Sequence, residues 1–409
     1  HQEEFIMLTS LALIFLVGLS AAGICRRLKL PRIIGMLITG IVLGPYALDF
    51  LDPSILSISA ELRQAALIII LLKAGLSLDP ADLRRVGRPA VLMSFLPASF
   101  EILAFVLFAP HILGVTRIEA AVMGAVLGAV SPAVVIPRMV QLMETKRGTS
   151  KSIPQLIMAG ASCDDIFVIV LFSAFVSMAQ GGSAHMTDFI NIPVSILLGT
   201  ALGALTGYLL FRFFETAYVR QHYIRNSMKV IIVLGTSFLL MAVETWLKGT
   251  VSVSGLLSVV SMACMLKIQS PGSVSNRLSE KFGKLWIAAE VLLFVLVGAA
   301  VDIRYTLSAG PAAAAMILLA LLFRSAAVCL CLLGTQLTGR ERLFCIIACL
   351  PKATVQAAIG SVPLAMGLPC GEIVLSTAVL AILITAPLGA IGMDLTYRRL
   401  LSDDSQTLS

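Results

Sequence analysis

The stretch Ala159-Gly160-Ala161-Ser162-Cys163-Asp164-Asp165-Ile166-Phe167-Val168-Ile169-Val170-Leu171 places two adjacent carboxylates inside an apolar run covering residues 153–179. That run is long enough to cross a membrane, where each ionised side chain costs roughly 2.5 to 3.5 kcal/mol on insertion scales. A partner or a ligand must offset that cost.

The same apolar character extends over the whole chain. Of its 409 residues, 58% are hydrophobic and 13% charged, and the mean hydropathy is +0.97. No soluble domain of this length could cover so much apolar surface, so an all-α polytopic membrane protein is expected. Apolar runs separated by short polar loops give thirteen expected spans. They cover 6–25, 31–48, 62–78, 89–109, 118–142, 153–179, 190–211, 228–246, 251–266, 285–301, 311–334, 343–366 and 373–395. The eight cysteines lie scattered in these runs without CxxC spacing or a matching histidine cluster, and read as small packing residues.

Charge tests the span count, because Lys and Arg gather in cytoplasmic loops. The odd-numbered spans are followed by Arg26, Arg27, Lys29 and Arg32; Arg84, Arg85 and Arg88; Arg138, Lys146, Arg147 and Lys151; Arg212, Arg220, Arg225 and Lys229; Lys267, Arg277, Lys281 and Lys284; Arg340 and Arg342; Arg398 and Arg399. These are 23 of the 30 basic residues, against Arg63, Arg117, Lys248 and Arg304 on the other side. The asymmetry predicts thirteen spans with the N-terminus outside and the C-terminus cytoplasmic, and the short termini lead to the expectation of a multi-pass plasma (inner) membrane protein. The net charge of +7 is then a topology signal, and nucleic acid is not an expected partner.

Thirteen spans can be divided into six, one and six, which turns the second half upside down relative to the first. The expected organisation is a first repeat over 1–179, a connecting span within 180–227, a second repeat over 228–397 and a short tail over 398–409. Span four carries Glu101 and its mate, span eleven, carries Arg324. Span five contains Val130-Ser131-Pro132-Ala133-Val134-Val135-Ile136-Pro137, and span twelve contains Leu350-Pro351-Lys352-Ala353-Thr354-Val355-Gln356. Proline removes a backbone hydrogen bond, and unwound backbone at membrane depth is tolerated only where protein or a water-filled cavity satisfies it. Two such breaks at matching positions point to an ion or substrate site near the midplane.

The chemistry of that site follows from its residue types. Small hard cations take oxygen ligands, and Asp164 and Asp165 supplemented by Ser131, by carbonyls around Val130 and Pro132, and by Thr354 would supply them. Carboxylates in low dielectric beside a like charge hold protons more readily, so protons and cations would compete for the same oxygens. Arg324 stays protonated and cannot carry a proton. Its expected partner is Glu101, with Asp164 second, which leaves Asp164 without an obligatory cation. Lys352 is expected to neutralise the negative ends of half-helices. Lys73 is expected to snorkel, Glu244 and Glu290 to sit at span ends, and Asp79 and Asp302 to be loop acids.

These residues resemble the monovalent cation:proton antiporter superfamily, and more narrowly the NHA-type sodium/proton antiporters. The resemblance rests on Gly128-Ala129-Val130-Ser131-Pro132-Ala133-Val134-Val135, on the Asp-Asp-Ile segment and on Leu350-Pro351-Lys352-Ala353-Thr354-Val355-Gln356-Ala357-Ala358-Ile359-Gly360. It implies two crossing broken helices, a core domain, a dimerisation domain with homodimers, and elevator-like alternating access. It matches Asp165 to the principal cation- and proton-binding aspartate and Asp164 to its partner. It also places Arg324 where many bacterial relatives have a lysine that pairs with the first aspartate, while NHA-type members resemble this chain in having an arginine there, matched with a glutamate at the place of Glu101.

The expected function is secondary antiport of Na⁺ or Li⁺ against H⁺, with no cofactor and no enzymatic activity. A K⁺/H⁺ antiporter and a sodium-coupled organic anion symporter stay open on the same fold, and a cation channel in a different class.

Overall fold

The computed structural model describes residues 2–77, 84, 86–181, 186–221 and 225–404, and within them the chain is built from α-helices joined by short turns. Asp79 and Arg85 lie outside the described residues. The chain divides into two compact units, one of residues 1–60, 80–176 and 293–409, the other of residues 61–79 and 177–292. Each unit is discontinuous in sequence, the first drawing on both ends of the chain and the second on residues 61–79 and the middle.

In chain order the helices are α1 (Gln2–Arg27), α2 (Arg32–Leu43), α3 (Pro53–Ser57), α4 (Ser59–Ser77), α5 (Arg88–Met93), α6 (Leu96–Leu113), α7 (Arg117–Leu127), α8 (Pro132–Glu144) and α9 (Ile153–Gln180). They continue as α10 (Met186–Gln221), α11 (Asn226–Leu247), α12 (Gly255–Gln269), α13 (Gly272–Ala299), α14 (Ile303–Cys331), α15 (Gly339–Ala348), α16 (Thr354–Gly360), α17 (Val362–Ala365) and α18 (Gly371–Leu400). Among the described residues, eight helical stretches are long and apolar enough to cross a membrane, and α2, α12 and the α16–α17 stretch are shorter apolar helices.

In the first unit, α6 packs against α14 and α7, and α18 packs against α14, α15 and α16. Gly40 of α2 and Gly298 of α13 each sit against the other helix's backbone, where a Cβ would overlap a carbonyl. In the second unit, Gly199, Gly203 and Gly207 of α10 lie four residues apart and face the backbone of α12 at Ser254, Ser258 and Met262. Small residues at that spacing let membrane helices approach closely, and hydroxyls then bridge them. Ser258 Oγ donates to Gly199 O (3.0 Å) and Ser261 Oγ to Thr200 O (2.8 Å).

Two helices end where proline predicts. α7 stops at Leu127 and α8 starts at Pro132 after a non-helical link; α15 stops at Ala348 and α16 starts at Thr354. Both α7 and α15 open on a Thr-x-x-Glu capping box, Thr116 with Glu119 and Thr338 with Glu341, which satisfies two orphan N–H groups at each start.

Three expectations are corrected. α13 begins at Gly272, well before the expected span 285–301, because nothing after Pro271 breaks the helix; Arg277, Lys281 and Lys284 therefore lie on a helix and not in a loop. Glu290 is buried within that helix, 9% exposed, and not at its end. The expected span 89–109 is interrupted between α5 and α6, just before Pro97. Asp302 is the N-cap of α14, accepting from the backbone N–H of Arg304 and Tyr305.

Candidate functional site

Inside the first unit the two breaks touch each other. The Ser131 N–H donates to the Pro351 carbonyl at 2.8 Å. Gln356 then clamps both links: its Nε2 donates to Ala129 O (2.9 Å) and its Oε1 accepts from the Ala353 N–H (2.8 Å). Thr385, on α18, accepts from the Lys352 N–H at 2.9 Å and donates to Ala381 O. Unwound backbone at this depth is thus satisfied by protein groups, as a dry interior requires.

Around the breaks lies a buried charge cluster. Glu101 and Asp164 are 0% exposed, Arg324 and Lys352 1%, and Asp165 6%. Arg324 is the hub. Its Nη1 donates to Glu101 Oε2 (2.8 Å) and to the Gly128 carbonyl, its Nη2 to Asp164 Oδ2 (3.0 Å), and its Nε to Cys349 O (2.7 Å). Lys352 Nζ donates to the same Glu101 Oε2 (2.9 Å) and to Ala129 O (3.4 Å). The Val130 N–H donates to Asp164 Oδ2 at 3.0 Å.

This geometry corrects two expectations. Arg324 binds Glu101 and Asp164 together, because a guanidinium presents its donors in a fork that can serve two acceptors. Asp164 therefore does have a cationic partner. Lys352 reaches a half-helix carbonyl as expected, but its shortest contact is the Glu101 carboxylate, which sequence reading missed. Counting charges could have found that pair, since Glu101 and Asp164 need two cations. Nothing in the sequence singles out Thr385.

The ion pairs leave Asp165 out. Two cations, Arg324 and Lys352, stand beside three carboxylates, and among the described residues no ion pair involves Asp165. Buried oxygens without a hydrogen-bond partner among the described residues are Asp165 Oδ1, Asp164 Oδ1, Ser131 Oγ, Thr354 Oγ1, Glu101 Oε1, Thr377 Oγ1 and Gln155 Oε1. All the sequence-predicted site residues are buried except Pro132, which is half-buried at the start of α8. Glu101, Asp164, Arg324, Lys352 and Gln356 share one network, whereas Asp165, Ser131 and Thr354 contribute unpartnered oxygens next to it in sequence. No group of three or more His, Cys, Asp or Glu suited to a metal occurs among the described residues.

In the second unit, Glu244 Oε2 accepts from the Gly255 N–H at 3.1 Å and so caps the start of α12. That places it with helix ends rather than with the charge cluster.

The transmembrane sodium/hydrogen exchanger family matches residues 11–395. The sodium/hydrogen exchanger 9B2 of Homo sapiens is 33% identical over 388 residues, covering 91% of this chain and 70% of that protein. Its counterpart in Xenopus tropicalis is 32% identical over 371 residues, covering 86% and 66%. The chain thus spans about two thirds of these relatives' length. In three dimensions it is similar to the sodium proton antiporter MjNhaP1 from Methanocaldococcus jannaschii at pH 8, with a TM-score of 0.83 at 21% identity over 97% of this chain and 99% of that one. With the family match running over nearly its whole length, the chain belongs to the transmembrane sodium/hydrogen exchanger family.

Proposed function

We propose that this protein exchanges Na⁺ or Li⁺ for H⁺ across a membrane, and that Asp165 alternates between a protonated and a cation-bound state. The observation that carries the reading is the unbalanced Asp165 carboxylate: every other buried charge in the cluster has a counterion, and among the described residues this one has none. An uncompensated charge at that depth is costly, and either a proton or a cation removes the cost. Exchange needs both species to use one site. Asp164 is held through a single oxygen, Oδ2, by Arg324 and the Val130 N–H, which leaves Oδ1 for the cation. Ser131 and Thr354 would add hydroxyl ligands, and a set made of oxygens suits a small hard cation better than an organic anion.

Glu101, Arg324 and Lys352 form a neutralising frame around the site in this reading. The matching capping boxes at the starts of α7 and α15 support inverted repeats, and the contact between the two breaks supports a core that moves as one body in elevator-like access. Homodimers, a plasma-membrane location and a cytoplasmic C-terminus complete the proposal, the last resting on the basic-loop asymmetry.

Reconstitution into proteoliposomes with a pH-sensitive dye tests the function. Na⁺ or Li⁺ should evoke proton flux, and Asp165→Asn should abolish it. Exchange retained by Asp165→Asn would remove the site, and flux driven by K⁺ alone would replace the cation.

A further inference from the structure

The loop between α8 and α9 joins half of one broken helix to the helix carrying Asp164 and Asp165, and it is gripped from two directions. From one side, residues 402–404 pair with it as a short antiparallel bridge: the Gly148 N–H donates to Ser402 O (3.0 Å), the Asp404 N–H to Lys146 O (3.0 Å), and Arg147 pairs with Asp403 at 2.7 Å. The Asp404 carboxylate accepts from the Ser150 N–H (2.9 Å), Ser150 Oγ (3.1 Å), Thr149 Oγ1 (3.2 Å) and Ser402 Oγ (2.9 Å). From the other side, Lys151 Nζ donates to both oxygens of Glu341, at 3.2 and 2.9 Å, and Glu341 is also the capping glutamate of α15. The loop itself is held in an unfavourable backbone form. Lys146 (φ 53°) and Ser152 (φ 55°) are left-handed without being glycine, and Gly148 (φ 64°) joins them. Such residues persist only where surrounding contacts over-determine them.

We propose that Asp404 and the Lys151–Glu341 pair are positioning residues for cation binding. They fix the loop that sets α9, and with it Asp164 and Asp165, against both broken helices. The geometry gives the lever. α9 starts at Ile153, one residue after the loop ends, so Asp164 lies eleven residues down a continuous helix, about 17 Å at 1.5 Å per residue. Glu341 connects the same loop to the first half of the second broken helix, while Arg138 of α8 is held bidentately by Asp394 of α18 at 3.0 and 3.1 Å. A cavity of about 280 Å³ lined by Arg138, Arg147, Asp394 and Asp403 adjoins these pairs. The clasp is ionic and lies at a helix end, where salt weakens it.

The inference rests on the site assigned under Proposed function, so the test has two arms. In proteoliposomes, Asp404→Ala should raise the apparent KM for Na⁺ about tenfold, as loss of a supporting outer contact does, with kcat held within about a factor of two. Asp404→Glu, which keeps the acceptor oxygens, should recover most of the affinity. The second arm needs no transport: alkylation of the half-buried Cys163 thiol, beside Asp164, followed by peptide mass, should speed up several-fold in Asp404→Ala and in the milder Lys151→Ala. Lower thermal stability with unchanged KM and unchanged Cys163 labelling would overturn the proposal, leaving a structural tie alone. If the wild type shows no cation-driven flux, the functional reading fails, and unchanged labelling would by itself overturn the positioning role.

Discussion

The two broken helices solve one backbone problem with different chemistry. The first break, after Leu127, offers main-chain groups: Gly128 O and Ala129 O accept, the Val130 N–H donates to Asp164, and Ser131 adds a hydroxyl. The second, after Ala348, brings side chains that reach across: Lys352 to Glu101, and Gln356 to Ala129 O. One break is a cradle and the other is its filling. Two similar breaks can thus carry an asymmetric charge pattern, with cations on α14 and the second break, and carboxylates on α6 and α9.

That asymmetry breaks most severely at its hub. Arg324→Ala would leave Glu101 and Asp164 buried with one cation between them, and removing one partner of a buried pair typically costs about 3 to 5 kcal/mol. A large fall in thermal stability and loss of transport should follow. The double variant Arg324→Ala with Glu101→Ala should be less destabilised than the sum of the singles, since residues in one network couple by about 0.5 to 3 kcal/mol; additive losses would argue against a shared network.

Gln356→Ala tests the clamp that joins the breaks. It strands the Ala353 N–H and removes one donor from Ala129 O, and a buried group left unsatisfied costs about 1 to 3 kcal/mol. The cradle should respond differently. Ser131 Oγ has no partner among the described residues, so Ser131→Ala should change stability by less than about 0.5 kcal/mol while raising the KM for Na⁺. Equal stability losses at Gln356 and Ser131 would erase the distinction between the two breaks.

The smallest effect concerns pH at the C-terminal clasp. Burial alone would push the Asp404 carboxyl up, but the Ser150 N–H and the Ser402, Ser150 and Thr149 hydroxyls together hold it below the usual carboxylate range. A carboxyl depressed by folding adds stability above its unfolded value, near 3.9, and that contribution fades as pH falls through the folded value. Thermal unfolding of Asp404→Asn and wild type should differ at neutral pH and converge in acid.

Most of this architecture is legible in the sequence because bilayer physics writes it plainly. Apolar runs mark the helices, Pro132 and Pro351 mark the breaks, and charges that survive in such runs mark the buried cluster. Helix ends are less legible: α13 continues through Arg277 and Lys281 because charge does not stop a helix once it leaves hydrocarbon. Partner choice is also hidden in part. The Glu101–Arg324 pair is expected from the matching spans, but Lys352, 251 residues from Glu101, reaches the same carboxylate oxygen at 2.9 Å only through the fold. The role of Thr385 was invisible for a related reason, since its hydroxyl meets a backbone N–H that is free only because α15 is broken.

The central claim is that Asp165, which forms no ion pair among the described residues of the buried charge cluster, is the carboxylate that a proton or a cation neutralises. Proton release by the purified protein in weakly buffered solution, followed as Na⁺ is added, tests it directly. Wild type should release protons as Na⁺ saturates the site, and folded Asp165→Asn should release none. Undiminished release from Asp165→Asn would contradict the account.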